Sequence, residues 1–275
     1  MADVTAINTE SFCCFIFLAI VLKSIDMSAQ EKSSLNNIRL SCNALKLVAC
    51  IFMLIDHIGY GIIHNYMVVH GMDLLPDTYK TLNTVYEIFR GVGRLAFPIF
   101  CFFLVEGFLR TSNVKKYAIR LFVFALVSEI PFDLGLYGAM FKWDHQNIIL
   151  TFFIALLMLI SIRYLESNVL ALSRPVVYLT LFCAVVAFAD LAYILKTDYS
   201  WKCMLLVAVL YFFRKAGTAR LLCGAVSTCW EKYAPISFLL LYFYDPSVRP
   251  KHKYAFYIFY PLNFIIIYII AKLII

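Results

Sequence analysis

Long apolar runs separated by short polar segments dominate this 275-residue chain. A helix needs about 20 mostly apolar residues to cross the hydrocarbon core of a bilayer. Six runs of that kind predict membrane-spanning helices: 44–64, 92–110, 117–137, 146–164, 176–195 and 255–275. The stretch 200–244 is divided by breaks such as Glu231-Lys232 into three shorter pieces: 200–213, 217–230 and 234–244. These pieces fit either short passes or a re-entrant element, so the pattern predicts an all-α transmembrane helix bundle of eight or nine passes.

Composition extends this prediction to nearly the whole chain. Hydrophobic residues make up 63% of the sequence and charged residues 15%, whereas soluble domains carry about 45–50% and about 25%. Because the apolar excess is spread along the length, we expect one transmembrane domain over 41–275. It follows an N-terminal segment, 1–40, which is polar except for the run Phe12–Leu22, too short to span a bilayer and unlike a signal peptide.

The net charge of +7 would raise the question of nucleic acid in a soluble protein. Here the 24 Lys and Arg lie mostly between apolar runs, where they set topology and meet anionic lipid headgroups. We therefore expect membrane lipid as a partner and no nucleic acid. The nine cysteines form no CxxC pair and have no metal-like spacing with histidine, so neither a metal nor a disulfide is expected.

The distribution of basic residues also predicts an orientation. Lys and Arg concentrate before residue 44, in 110–120, near 215 and in 245–254, and the intervening loops are poorer in them. Basic loops face the cytoplasm. With nine passes these segments alternate correctly, which places the N-terminus in the cytoplasm and the C-terminus outside.

Polar and charged residues inside the predicted spans are the candidate functional residues. Each charge costs about 2.5–3.5 kcal/mol on insertion scales and usually faces the bundle interior. An ion-pair network that only holds helices together is the simplest explanation for any one of them, but the set is long. It comprises Lys46, Asp56, His57, Arg94, Glu106, Glu129, Asp133, Asn147 and Asp190.

Helical geometry relates some of these residues to one another. Lys46 and His57 are three turns apart, so they share a face with a separation of roughly 16 Å along the axis. Asp56 lies about 100° from His57 and is expected to anchor a neighbouring helix. The predicted directions place a cluster in the outer half of the bilayer, comprising His57, Asp133, Asp190, Arg94 and Asn147. Lys46 and Glu106 fall near the inner side, where they could pair.

Four segments, in order, resemble the TraX family of integral membrane proteins. They are LKLVACIFMLIDHIG (45–59), GRLAFPIFCFFLVEGFLRT (93–111), KKYAIRLFVFALVSEIPFDL (115–134) and QNIILTF (146–152). A looser likeness continues through 197–215 and 253–270. The family is named for an N-acetyltransferase that modifies conjugative pilin. It is similar to a wider group of membrane acyltransferases with a basic residue, ten residues and a histidine in an early helix, a spacing that Lys46 and His57 reproduce.

The resemblance implies a multi-pass acyltransferase of the bacterial plasma membrane. Its donor would be an acyl-CoA, taken to be acetyl-CoA, drawn from the cytoplasm. The acceptor would be an amine, such as a peptide N-terminus, presented at the outer side. The same residues leave open an O-acetyltransferase of a cell-surface glycan or lipid. A proton-coupled transporter, with Asp56, His57, Glu129 and Asp190 as a relay, is a second alternative.

For the acyltransferase, His57 is the expected general base, with Asp133 or Glu129 holding its ring. Arg94 or Asn147 would donate to the developing oxyanion. An acylated His57 is an equally open variant. The donor would be held at the cytoplasmic side by six residues: Lys46, Glu106, Arg110, Lys115, Lys116 and Arg120. For the last four of these, a role as topology determinants only is an equally good explanation. Asp56 and Asp190 are expected to be structural.

The sequence departs from the family pattern at two places. Family members commonly carry a histidine where this chain has Asn263. They also carry Asn-Gly followed by basic residues where this chain has Asp245-Pro246. These differences leave open what residue 263 contributes and whether the acceptor is the same.

Overall fold

The computed structural model describes residues 39–168, 173–248 and 253–275. Most of the predicted N-terminal segment 1–40, including Phe12–Leu22, lies outside the described residues, as does part of the predicted basic loop 245–254. In the described ranges all regular secondary structure is helical, apart from two isolated β-bridges. This confirms the all-α prediction.

Eleven α-helices run through the described residues. They are α1 (Cys42–Ile58), α2 (Asn65–His70), α3 (Pro76–Gly93), α4 (Ala96–Arg110), α5 (Val114–Tyr137), α6 (Ile148–Asn168), α7 (Arg174–Ile194), α8 (Ser200–Phe212), α9 (Thr218–Ser227), α10 (Ser237–Tyr242) and α11 (Lys253–Ile274). A π-helical segment, Gly59–His64, joins α1 to α2, and a 3₁₀ turn, Ala234–Ile236, precedes α10.

Five helical stretches are long and apolar enough to cross a membrane. They are Cys42–His70, Pro76–Arg110, Ile148–Asn168, Arg174–Ile194 and Ala255–Ile274. The chain is therefore a helical membrane protein. Helix α5 covers the predicted span 117–137 and has 24 residues, but its many charged side chains keep it out of this set. Helix α8 is a shorter apolar helix of 13 residues.

Helices α9 and α10 form a short antiparallel pair. With 10 and 6 residues they extend about 15 and 9 Å, whereas a bilayer core is about 30 Å thick. Arg220 in α9 donates to the carbonyl of Leu210 near the end of α8. After α10 the chain returns to the start of α1, where Leu40 N donates to Phe243 O at 2.8 Å. The pair therefore begins and ends at one end of the bundle.

The two ends of the bundle differ in chemistry. One end, called here the basic face, carries Leu40, Arg110, Arg220 and Asp245. The other, the loop face, carries the connections 138–147 and 195–199, which are joined by a bridge between Gln146 and Thr197. Helix α3 leads from the loop face into α4. Its polar content hides it from a search for long apolar runs, and the sequence prediction treated residues 76–91 as part of a loop.

Close backbone packing joins α1, α5 and α11. A Cβ added to Gly61, in the π-helical segment, would lie 2.7 Å from the carbonyl oxygen of Gly135 and 2.5 Å from a methyl group of Ile267. A Cβ added to Gly135 would lie 2.8 Å from the carbonyl oxygen of Phe264. Small residues at such crossings allow membrane helices to approach closely. This packing sets the position of α11 against α1.

We expect Gly135→Ala to lower the stability of the protein in detergent. The added methyl group meets the carbonyl oxygen and the Cβ of Phe264, which cannot move aside as the end of a side chain can, and overpacking of this kind costs about 1–3 kcal/mol. Thermal unfolding of the purified variant measures the effect. The control is Gly107→Ala, whose Cβ would meet the far end of the Tyr117 side chain, with its hydroxyl oxygen at 3.1 Å. Equal melting temperatures for Gly135→Ala and Gly107→Ala would contradict the packing argument.

Candidate functional site

Two cavities lie within the bundle, one nearer the basic face and the other nearer the loop face. The basic-side cavity has a volume of about 210 Å³ and is lined by Lys46, Arg120 and aromatic side chains that include Phe103, Tyr117 and Tyr257. The loop-side cavity has a volume of about 370 Å³. Its polar lining comprises Asp56, His57, Tyr60, Arg90, Arg94, Tyr137, His145, Asp198 and Tyr199.

The two cavities share an apolar wall. Five side chains line both of them: Met53, Phe100, Ile148, Phe152 and Tyr260. Lys46 and His57 lie on opposite sides of this wall, as their spacing along α1 requires. The arrangement therefore places a basic chamber on one side of an apolar wall and a chamber that contains histidine on the other.

His57 is held by Asn263. Its Nδ1 lies 2.8 Å from Asn263 Oδ1. The Asn263 amide nitrogen donates to the carbonyls of Phe259 and Tyr260, which leaves Oδ1 as an acceptor. His57 Nδ1 therefore carries the proton and Nε2 carries the lone pair. The imidazole also stacks on Phe264, with centroids 4.2 Å apart.

Glu129 and Asp133, predicted to hold the His57 ring, have other partners. The Glu129 carboxylate accepts from the Asn147 side chain, and Asp133 accepts from the backbone N–H of Lys142 at 2.7 Å. The prediction was wrong because α11 lies against His57, and α5 directs these carboxylates toward the turn 138–147. Both serve to fix that turn to α5.

Asn147 was predicted as an oxyanion donor, and its contacts contradict this role. Its amide nitrogen donates to Glu129 and to the Ala125 carbonyl, so both amide hydrogens are used. Its Oδ1 accepts from the amides of Ile149 and Leu150 at the start of α6. Asn147 is completely buried and acts as the N-terminal cap of α6.

Two arginines line the loop-side cavity, each paired with a carboxylate. Arg90 Nη1 lies 2.7 Å from Asp56 Oδ2, so Asp56 contacts the neighbouring helix α3. Arg94 Nη1 donates to the Tyr199 hydroxyl at 3.0 Å, and its Nε lies 3.5 Å from Glu231 Oε2. Arg94 thus brings a guanidinium into the same cavity as His57.

Asp190 does not join this cluster, contrary to the sequence prediction. It is exposed on α7, on the side opposite the buried Leu181 and Ala192. Nine residues separate Leu181 from Asp190, which is half a turn in angle on a helix. Asp190 therefore lies on the face of α7 that points away from the bundle interior.

The residues predicted to bind the donor divide into two groups. Lys46 and Arg120 line the basic-side cavity, and among the described residues neither takes part in an ion pair. Glu106 does not pair with Lys46 as suggested, because Arg220 Nη1 lies 2.7 Å and Arg110 Nη2 3.0 Å from its carboxylate. Arg110, Lys115 and Lys116 are exposed at the basic face and are not among the residues that line the cavity.

His145 and Asp198 are cavity residues that the sequence prediction missed. His145 Nε2 lies 3.7 Å from Asp198 Oδ1. Burial raises the pKa of the Asp198 carboxyl group, while His145 and Arg94 act to lower it. His145 directly precedes the family segment 146–152, and Asp198 lies within the looser likeness 197–215, so a signal for both was present in the sequence. Among the described residues no group of three His, Cys, Asp or Glu side chains is arranged to hold a metal ion.

Comparison with known proteins places the chain in a family. No solved structure matches it. Over 254 aligned residues it is 28% identical to the probable fimbrial assembly protein FimC, serogroup H1, of Dichelobacter nodosus, with coverage of 82% of this chain and 94% of that protein. The family model described as TraX protein matches residues 41–271. With nearly all of its transmembrane domain inside that match, the chain belongs to the TraX family.

Proposed function

We propose that this protein is an acyltransferase that moves an acetyl group from cytoplasmic acetyl-CoA to an amine of an acceptor at the outer side of the membrane. The observation that carries the proposal is the pair of cavities that share an apolar wall. One contains two cations, Lys46 and Arg120, that form no ion pair among the described residues, and the other contains His57. A small neutral acyl group could pass such a wall, whereas a charged nucleotide would stay at the basic side.

The basic-side cavity suits the donor. Lys46 and Arg120 supply two positive charges for phosphate groups, and Arg120 Nε is a buried donor with no hydrogen-bond partner among the described residues. Aromatic rings lie below both cations: Phe103 below Lys46, and Tyr117 and Tyr257 below Arg120. The exposed Lys115 and Lys116 would attract the anionic donor to the entrance. Arg110 would add to that attraction.

At the loop side, His57 Nε2 has the free lone pair that the chemistry needs. In direct transfer it would take the proton of the attacking amine, and in the alternative it would itself attack the thioester carbonyl. The Arg94 guanidinium, in the same cavity, would stabilise the negative charge that develops on the carbonyl oxygen.

We propose that the basic face lies in the cytoplasm of a bacterial cell, with the loop face outside the plasma membrane. Basic residues such as Lys115, Lys116 and Lys215 concentrate at the cytoplasmic side in this orientation. Counting α9 and α10 as two short passes gives nine. Counting them as a re-entrant pair leaves the N- and C-termini on opposite sides in the same way.

Transfer across a membrane can be measured with the protein in sealed liposomes. Acetyl-CoA with a labelled acetyl group is supplied at the basic face, and a peptide with one free N-terminal amine is enclosed at the loop face. We expect label on the enclosed peptide and none on a control peptide whose N-terminus is already acetylated. In a parallel experiment a polysaccharide is enclosed in place of the peptide, and label on the polysaccharide instead of the peptide would favour O-acetylation. Absence of both acetyl-CoA binding and transfer would remove the proposal.

A further inference from the structure

A second histidine faces the loop-side cavity together with a carboxylate. His145 and Asp198 line the same cavity as His57, and their side chains are 39% and 32% exposed. The His145 ring is held on one side by Phe132, with centroids 5.8 Å apart and planes 24° apart. The imidazole is therefore oriented, accessible from the cavity and next to a negative charge.

Two loops are joined in a way that keeps this pair together. The backbone N–H of Gln146 donates to the backbone carbonyl of Lys196, and the backbone N–H of Asp198 donates to the backbone carbonyl of Gln146, both at 3.0 Å. The Thr151 hydroxyl donates to the Asp198 carbonyl at 2.7 Å. Lys196 Nζ lies 2.6 Å from Asp144 Oδ1. These contacts fix residue 198 beside residue 145 although the two are on different connections.

The two histidines of the cavity have different partners. His57 is held by the neutral amide of Asn263, and the neighbouring Asp56 carboxylate is paired with Arg90. His145 has a carboxylate at its Nε2. At 3.7 Å the contact is longer than a hydrogen bond, but a carboxylate at this distance stabilises the imidazolium that forms when the ring takes a proton. Of the two rings, His145 is the better placed to hold a positive charge.

We infer that His145, oriented by Asp198, accepts the proton of the acceptor amine, and that His57 acts on the acyl group; this inference rests on the proposed function. The lone pair of the amine nitrogen forms a bond to the acyl carbon. The bond from that carbon to its leaving atom breaks, and the electron pair stays on the leaving atom. That atom is His57 Nε2, which has first taken the acyl group from the CoA thioester, with the sulfur of CoA leaving with its electron pair at that first step; the inference therefore selects the acyl-histidine variant. The amine proton goes to His145 Nδ1.

The test uses the purified full chain with labelled acetyl-CoA and a short peptide that has one free amine. We expect His145→Ala to lower peptide acetylation by about 10²-fold and to leave the affinity for acetyl-CoA unchanged. Added imidazole should restore a large part of the lost rate, since it can take the proton in place of the missing side chain. Asp198→Asn should lower the rate by at least about tenfold. The matched controls are His70→Ala and Asp73→Asn, outside the cavity, with rates equal to wild type.

The outcomes separate the inference from the proposed function. If wild-type protein neither binds nor uses acetyl-CoA, the proposed function fails and the inference fails with it. If wild type is active and His145→Ala is equally active, the inference alone is overturned. Loss of activity in His145→Ala without imidazole rescue, or with a lowered melting temperature that His145→Gln shares, would assign the residue a structural role and overturn the inference as well.

Discussion

The His57→Ala variant is expected to lose acetyl transfer by about 10⁴-fold, the upper end of what a single acid–base group contributes. The reason is its position: its lone pair at Nε2 is directed by the bond from Nδ1 to Asn263, and it stands next to the apolar wall through which the acyl group would arrive. The measurement is the initial rate of label transfer from acetyl-CoA to a peptide amine, together with the affinity for acetyl-CoA. We expect that affinity to stay unchanged because Lys46 and Arg120 lie in the other cavity.

Two further variants define what the His57 result means. His70→Ala, which removes an imidazole from the end of α2, should transfer at the wild-type rate. Asn263→Leu, which removes the acceptor that fixes the ring, should cause a smaller loss than His57→Ala because the imidazole is still present. Acetylation by His57→Ala at the wild-type rate would exclude His57 from the chemistry.

The largest effect on stability is expected for Glu106→Ala. Glu106 is the partner of Arg220, whose side chain is only 8% exposed. Removing one member of a buried ion pair leaves an uncompensated charge and costs about 3–5 kcal/mol. The second partner, Arg110, is 42% exposed and contributes little, because water screens exposed pairs.

The loss in Glu106→Ala should be concentrated in the short helices. Arg220 belongs to α9, so its release should loosen the α9–α10 pair before the long helices separate. Thermal unfolding in detergent measures the global effect, and limited proteolysis between residues 228 and 233 measures the local one. Glu87→Ala, at an exposed position of α3, is the control and should change stability by less than about 0.5 kcal/mol. A Glu106→Ala protein with the melting temperature of wild type would contradict the stabilising role of the Glu106–Arg220 pair.

The helical framework and the relation of Lys46 to His57 could be predicted from the sequence because both depend on local properties. Apolar length identifies a span, and the helical period fixes which side chains of one helix share a face. The direction of Asp56 away from His57 follows from the same period. In each case the information lies within about three turns of one helix.

The partners across helices could not be predicted, because they depend on the rotation and contact of distant segments. His57 and Asn263 are 206 positions apart, and only the packing of α11 on α1 brings them together. The sequence also cannot show that both amide hydrogens of Asn147 are donated to acceptors on α5. His145 and Asp198 stand in loops, where no period relates one residue to another.

In the proposed plasma-membrane orientation, the apolar wall between the cavities would have a consequence for the energy supply of the cell. A water-filled channel from face to face would let protons run down the gradient that a plasma membrane maintains. Met53, Phe100, Ile148, Phe152 and the ring of Tyr260 interrupt that channel at the point where the two cavities meet. The same side chains that a neutral acyl group could pass would exclude hydrated ions, because an ion loses its hydration at great cost in apolar surroundings. Transfer of a chemical group would then leave the membrane electrically sealed.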